Sequence, residues 1–280
     1  MVRIITDSAA DFEPRELERM RVFCIPLSVI FGETEYQENV NLSKKRFYEL
    51  LATADSLPKT AQASPQILLD LFDSAKHAGD EAVYITISSA ISGTYQSARM
   101  TLEMAECDRC HVVDSRSGTG GQRMIVEHAV KLRDAGYSAA QIVEELERLR
   151  SRVTLYACMD TLENLYRGGR ISHTTYAIGN LAQIKPIIHL DEEGKVTVPA
   201  KAMGMRKGVD LLCKKLEQCR PDPDYPLYVM YTSDRSAAEA LALRLADMGY
   251  AVADERIIQV GAAIGTHIGP NAVGLVYIGE

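Results

Sequence analysis

Tryptophan is absent from this chain and phenylalanine is scarce. The 280 residues include no Trp and only 5 Phe, so aromatic stacking platforms are few. Basic residues are also in the minority, because 31 Lys and Arg stand against 38 Asp and Glu, for a net charge of −7. A general nucleic-acid binder usually presents a basic face, so this balance argues against that class. It leaves open a local basic patch that docks a partner.

Long apolar runs are missing as well. No stretch approaches the roughly 18 apolar residues of a membrane-spanning helix, which argues against stable membrane insertion. The first residues, MVRIITDSAADFEP, lack the apolar run of a secretory signal, so we expect a cytoplasmic protein.

Cysteine usage gives no sign of a cofactor. Six cysteines in so long a chain do not suggest a disulfide framework, so reduced thiols are expected. Cys107, Cys110 and His111 match the CxxCH pattern of c-type haem attachment. That chemistry belongs to exported proteins, so we interpret the match as coincidence. Without a second CxxC or a spaced His pair, we predict neither zinc nor any other metal.

What is present is an alternation of short apolar runs and amphipathic stretches, which predicts an α/β protein with a mostly parallel sheet in its first half. The predicted strands are Val2–Thr6, Val22–Phe31, Ala82–Ile87, His111–Val113, Thr154–Cys158, Ile184–Leu190, Lys195–Ala200, Leu227–Tyr231, Ile257–Val260 and Ala272–Ile278. The predicted helices are Pro14–Met20, Lys44–Thr53, Pro65–His77, Thr94–Ala105, Gly121–Ala135, Ala139–Arg150, Tyr176–Ala182, Met205–Gln218 and Ala237–Met248.

The rhythm of the elements changes in the second half. Asp191–Gly194 separates two apolar runs and reads as a hairpin turn. We therefore predict two α/β domains, residues 1–152 and residues 153–280, with no low-complexity linker between them.

Three early segments place hydroxyl-rich turns between a strand and a helix. They are Thr6–Ser8, Thr60–Pro65 and Ser88–Thr94. Helix N-termini attract anions, and open α/β sheets bind ligands at the carboxyl ends of their strands, so these turns suit a carboxylate or a phosphate. For any single turn, simple helix capping is the competing interpretation. A fourth turn, Val113–Gly121, is neither GxGxxG nor a P-loop, and we interpret it as a turn that needs positive φ.

Two other functions remain open from the residues alone. Ser92 with His267 could form an acyl-transfer pair, although no GxSxG or SxxK motif surrounds the serine. The same helix starts could instead bind a phosphorylated small molecule. Two basic, glycine-containing segments, Leu162–Ser172 and Lys201–Gly208, are either solvated surface or a docking face for an acidic partner.

Taken together, these segments resemble the DegV family of fatty-acid-binding proteins over essentially the whole chain. The family often reads Thr-Ser-Gln-Pro-Ser where this chain has Ala61 and Ala63 as the second and fourth residues, so a local donor is lost while Thr60 is kept. The matching segments, in order, are Thr6–Ser8, Thr60–Pro65, Ser88–Ala98, Val113–Ser115, Leu165–Ser172, Ile184–Ile187 and Gly261–Pro270 with Gly274.

The resemblance implies a two-domain DegV-like fold enclosing a tunnel for one long-chain fatty acid such as palmitate. Thr60 and Ser92 would hold the carboxylate with His267 as a further donor, and the supporting residues would be Ser64, Gly93 and Thr94. Such proteins present the acid to an ATP-dependent fatty-acid kinase and are not themselves enzymes. The kinase would dock near Arg170, Lys201 and Arg206, and we expect a monomer without a cofactor other than the bound acid.

Simple energetics agree with a carrier. Burial contributes about 0.8 kcal/mol per CH₂, so a sixteen-carbon tail gains roughly 10 kcal/mol before the costs of association. The carboxylate then needs only uncharged hydrogen-bond donors to avoid a large desolvation cost. We therefore expect uncharged hydroxyl and amide donors at the polar end, where no arginine is needed.

Overall fold

A computed structural model describes residues 1–179 and 183–280 of the chain. The strands are β1 Val2–Asp7, β2 Val22–Ile25, β3 Ser28–Phe31, β4 Thr34–Gln37, β5 Lys59–Ala61, β6 Glu81–Thr86, β7 Cys110–Asp114, β8 Val153–Cys158, β9 Ile184–Leu190, β10 Val196–Met203, β11 Tyr228–Tyr231, β12 Ile257–Gln259 and β13 Val273–Ile278. The helices are α1 Pro14–Met20, α2 Lys44–Thr53, α3 Pro65–Ala78, α4 Thr94–Ala105, α5 Thr119–Asp134, α6 Ala139–Arg150, α7 Glu163–Arg167, α8 His173–Gly179, α9 Met205–Gln218, α10 Ser236–Asp247 and α11 Ala262–Ile268.

The first half is built on a parallel sheet in the order β2-β1-β6-β7. On one face, Ile4 and Ile85 pack with residues of α5 and α6. On the other face, Ile5 and Tyr84 pack with residues of α3 and α4. A parallel sheet covered on both faces explains why its strands are apolar throughout rather than alternating. The predicted fold class is confirmed.

A small antiparallel sheet, in the order β4-β3-β5, lies beside the parallel one. The prediction of one strand over Val22–Phe31 is wrong, because β2 ends before Pro26 and β3 begins after it in a different sheet. Proline has no N–H to donate to a ladder and interrupts a strand. Strands β4 and β5 were not predicted from the sequence, because they are short and polar.

The second half is a mixed six-stranded sheet in the order β10-β9-β8-β13-β11-β12. One face packs on α9 and α10, with Leu212 and Leu241 buried there. The predicted hairpin turn is confirmed: the N–H of Gly194 donates to Asp191 O at 2.8 Å, and Gly194 has a φ of 76°, which glycine adopts without strain. The domain boundary near residue 152 stays a prediction.

Three helices depart from the sequence expectation. The helix predicted over Tyr176–Ala182 begins earlier, at His173, and residues 180–182 lie outside the described part of the chain. Helices α7 and α11 were not predicted from the sequence, because they are short and lack an extended apolar stripe. None of the described helices is long and apolar enough to cross a membrane.

Two local expectations need correction. Cys107 and Cys110 form a disulfide bond, so the expectation of six reduced thiols is wrong at this pair. In the Val113–Gly121 turn, positive φ occurs at Arg116 and Thr119 rather than at the glycines.

Candidate functional site

A cavity of about 420 Å³ lies where the two halves of the chain meet. Its apolar wall combines side chains from the first half, such as Ile87 and Ile91, with Leu155 and Ile188 of the six-stranded sheet. Helix α11 contributes Ile264 and closes a third side. The volume falls within the roughly 300–1,000 Å³ typical of small-molecule sites.

Polar side chains gather at one part of this wall, and two of the predicted ligands touch each other. Thr60, on β5, hydrogen-bonds through Oγ1 to Nε2 of His267, on α11, at 2.9 Å. These residues are 207 positions apart in the sequence. The antiparallel pairing of β5 with β3 and the packing of α11 against both strands bring them together.

Ser92 also lines the cavity, in the turn before α4. Its Oγ lies 3.0 Å from Thr94 Oγ1 and accepts the N–H of Thr94 at 3.2 Å. Gly93, the residue before the helix, lines the cavity too. Ser64 does not line it, and its side chain makes no capping hydrogen bond at the start of α3. Of the predicted supporting residues, the structure therefore brings Gly93 and Thr94 to Ser92 and leaves Ser64 apart.

His267 is neutral in this environment. Burial, with a smaller contribution from the nearby Arg170 guanidinium, lowers its pKa from 6.5 to about 4. Its Nδ1 is buried and has no hydrogen-bond partner among the described residues. Gly168 packs against this atom so closely that a Cβ there would collide with Nδ1. The imidazole thus offers hydrogen-bonding capacity without a charge.

Arg170 occupies an unexpected place. It lines the cavity, and its Nε donates to Ile91 O at 3.1 Å while another guanidinium nitrogen donates to Gly168 O. The expectation that only uncharged donors lie at the polar end is therefore wrong at this residue. The other two predicted docking residues, Lys201 and Arg206, are exposed and do not line the cavity.

The N-terminus of α11 is anchored by buried carboxylates that the sequence analysis missed. Glu38 Oε1 accepts the N–H groups of Ala262 and Ala263, and Asp11 Oδ1 accepts the N–H of Gly261 at 2.9 Å. Ser8 Oγ donates to the other oxygen of Glu38 at 2.6 Å. The early Thr6–Ser8 motif therefore supports the helix that carries His267 and does not line the cavity itself.

Burial dominates the titration of these carboxyl groups. It raises the pKa of Glu38 to about 7 and that of Asp7 to about 6. The pKa of Asp11 is raised for the same reason, although Lys44 opposes the shift. The only available sequence signal was an acidic residue, Glu38, after a polar segment, and that signal cannot reveal a partner more than 200 residues away.

The site thus combines an extended apolar wall with three hydroxyls, the amide of Gln62, a neutral imidazole and one guanidinium. Such a set suits a molecule with a long apolar body and one anionic end. His267 pairs with Thr60, and Ser92 pairs with Thr94, so the pairing expected of a serine acyl-transfer site is not formed.

Comparison with known proteins confirms the family resemblance. Residues 1–280 match the family model described as uncharacterised proteins of the DegV family. A DegV domain-containing protein of Halalkalibacterium halodurans is 33% identical over 277 residues, which cover 98% of this chain and 97% of that protein. The structure described as fatty acid binding of a DegV family protein from Thermus thermophilus matches with a TM-score of 0.90 at 28% identity, covering 100% of this chain and 99% of that one. DegV from Bacillus subtilis, described as a fatty acid binding protein, matches with a TM-score of 0.85 at 29% identity and covers the same shares. This chain is a member of the DegV family.

Proposed function

We propose that this protein binds one long-chain fatty acid, such as palmitate, in the cavity between its two halves. The acyl chain would lie along the apolar wall, and Thr60 and Ser92 would hold the carboxylate with His267 as a further donor. The observation that carries this proposal is the Thr60–His267 pair at the edge of a cavity whose other walls are largely apolar. Family members described as fatty-acid-binding support it.

The charge at the polar end fits an anionic ligand. A carboxylate placed between Thr60 and Ser92 would lie in the positive field of Arg170, which is partly buried and therefore poorly screened by solvent. His267 is neutral near pH 7 and can donate one N–H without adding a second charge. These groups would compensate the desolvation of the carboxylate.

We further propose that the protein is a carrier rather than a catalyst and that it presents the carboxylate to an ATP-dependent fatty-acid kinase. A carrier needs its ligand's head group near the surface, and Thr60 and Ser92 are only partly buried. Lys201 and Arg206 expose positive charge outside the cavity and are the proposed docking residues, whereas Arg170 is close enough to act on the carboxylate itself.

Native mass spectrometry of the purified protein tests the binding. We expect a non-covalent mass of one fatty acid, and we expect Thr60→Ala with Ser92→Ala to weaken palmitate binding by at least tenfold, since each hydrogen bond to a charged group contributes about 1.5–3 kcal/mol. The matched control is Ser97→Ala with Thr101→Ala, which removes two hydroxyls from α4 outside the cavity.

Three results would contradict parts of the proposal. Equal palmitate affinity in the two double variants would refute the carboxylate site. A covalent acyl adduct lost in Ser92→Ala would indicate an acyl-transfer enzyme. A normal rate of acyl-phosphate formation by a fatty-acid kinase with the Lys201→Glu, Arg206→Glu variant, where we expect a tenfold loss, would refute the docking residues.

A further inference from the structure

A second, smaller pocket adjoins the cavity. It has a volume of about 40 Å³. Both spaces are lined by Thr119, Leu155, Ile188, Ile264 and Ile268. Among the described residues, the small pocket includes none of the polar groups Thr60, Ser92, Arg170 and His267. It is therefore an apolar extension of the cavity wall, separate from the carboxylate site.

Met230, on β11, lines this extension and does not line the cavity. Its side chain is buried, and its Sδ lies 3.5 Å from Thr119 Oγ1. Two glycines make space for it: a Cβ on Gly120 would lie 3.0 Å from Sδ, and a Cβ on Gly274 would lie 2.8 Å from Cε. The thioether thus lies between the backbones of two glycines, which carry no side chain. Methionine has three side-chain rotatable bonds and adapts easily to irregular gaps.

The partner of Met230 is held in an unusual conformation. Thr119 has a φ of 46°, a region that β-branched residues rarely enter. This backbone conformation, at the first residue of α5, places the Thr119 side chain where it lines both spaces and contacts the sulfur. Strained residues of this kind cluster at ligand sites. The geometry at Thr119 therefore points to a ligand boundary rather than to ordinary core packing.

We propose that Met230 determines the length of the acyl chain that the cavity accepts. This inference rests on the proposed function and adds a tail-end specificity residue to it. Met230 lines the small apolar pocket but not the cavity, so it bounds the far end of the extension that an acyl tail reaches from the cavity, and the terminal methyl group of a bound acid stops there. A smaller side chain at this position enlarges the small pocket and admits longer acids. A change that pushes the Met230 thioether further into the small pocket favours shorter acids.

The test is a competition experiment. Delipidated protein is loaded with an equimolar mixture of saturated C12 to C22 fatty acids, and the retained acids are quantified by mass spectrometry. In Met230→Ala we expect the ratio of retained C20 to C16 acid to rise about tenfold over the wild type, because each further buried CH₂ changes affinity about fourfold. In Gly274→Ala the new methyl group meets Met230 Cε, so we expect the ratio to fall about fourfold for the loss of one CH₂ of space.

Met124→Ala is the matched control. Met124 is buried in the same apolar cluster as Met230 but lines neither space, so its truncation tests loss of packing alone. We expect its C20 to C16 ratio to stay within twofold of the wild type. Equal ratios in Met230→Ala and Met124→Ala would overturn the inference. If Met230→Ala does not fold, an unchanged or raised ratio in Gly274→Ala overturns it instead. Failure of the wild type to retain any fatty acid would overturn the proposed function, and this inference with it.

Discussion

The two ends of helix α11 bury polar groups in opposite ways. At the N-terminal end, the carboxylates of Glu38 and Asp11 accept backbone N–H groups of the chain itself. At the C-terminal end, the imidazole of His267 is uncharged and has only Thr60 as a hydrogen-bond partner among the described residues. The N–H groups at the N-terminal end are therefore satisfied by carboxyl groups of the protein itself, whereas Nδ1 of His267 at the C-terminal end has no partner among the described residues.

The neutral state of His267 is the opposite of what the helix dipole alone would favour at the C-terminal end. Carboxylates suit the positive N-terminus, but the negative C-terminus would stabilise a protonated histidine. His267 lies in the last turn and still has a lowered pKa, because burial and Arg170 outweigh the dipole. The comparison teaches that the fold itself satisfies the buried carboxyl groups of the anchor, whereas the described residues of the cavity wall include no carboxyl group and so leave the guanidinium and the donors for a ligand.

Removing the anchor should have the largest effect. In Glu38→Ala, the N–H groups of Ala262 and Ala263 and the hydroxyl of Ser8 lose their acceptor in a buried place. We expect the free energy of unfolding to fall by about 4 kcal/mol, measured by urea unfolding at pH 7.5. Glu38→Gln keeps one acceptor oxygen and should cost about 1 kcal/mol by the same measure. Equal losses in the two variants would show that the carboxylate does not anchor α11.

The titration of His267 should have the next largest effect. The unfolded chain binds a proton at this histidine near pH 6.5, but the folded protein binds it only near pH 4, so the folded state binds fewer protons between these values. Stability from the neutral imidazole is complete above pH 6.5 and is lost as pH falls towards 4, by about 3 kcal/mol in total.

The variant His267→Asn isolates this effect. Asp7 and Glu38 have raised pKa values and give a slope of the opposite sign, because the folded state holds their protons more tightly as pH rises through this range. They are present in both proteins, so the difference between the wild-type and variant unfolding curves from pH 7 to pH 4 reports His267 alone. Parallel curves would mean that His267 keeps its ordinary pKa.

The Thr60 hydroxyl should have the smallest effect on folding. Thr60→Val removes the hydrogen bond to His267 and preserves the β-branched shape that suits β5. We expect a loss of about 1 kcal/mol in thermal or urea unfolding, because the imidazole is close enough to the cavity for water to replace the hydroxyl. A loss as large as that of Glu38→Ala would show that the Thr60–His267 hydrogen bond stabilises the fold as strongly as the Glu38 contacts do. The two ends of α11 would then not differ in their contribution to stability.

Sequence patterns predicted the parallel sheet, the hairpin and most helices, because continuous apolar runs and 3.6-residue periodicity report burial directly. They failed at β4, β5, α7 and α11, which are short and held by tertiary contacts rather than by their own periodicity. Pro26 marks the break between β2 and β3, but it gives no sign that the strands belong to different sheets.

The candidate site was predicted in outline by family resemblance rather than by local pattern. Thr60, Ser92 and His267 do line one cavity, but their roles as ligands remain proposals. Arg170 was expected in a docking face, because the family resemblance implied such a face at the basic, glycine-containing segment Leu162–Ser172. Its location in the wall depends on how Ile91 and Gly168 fold around it, and no spacing in the sequence records that.

The anchoring of α11 also affects how the protein is made. This helix follows its partners Glu38 and Tyr48 by more than 200 residues: Glu38 accepts its N–H groups, and Tyr48 OH donates to Val260 O just before it at 2.9 Å. During synthesis the N-terminal segments emerge first and fold before α11 is available to pack against Glu38 and Tyr48. Residues up to 267 must therefore leave the ribosome before His267 can meet Thr60, and a chain truncated before residue 261 would lack both α11 and β13, the strand between β8 and β11, and would never assemble the polar end of the cavity.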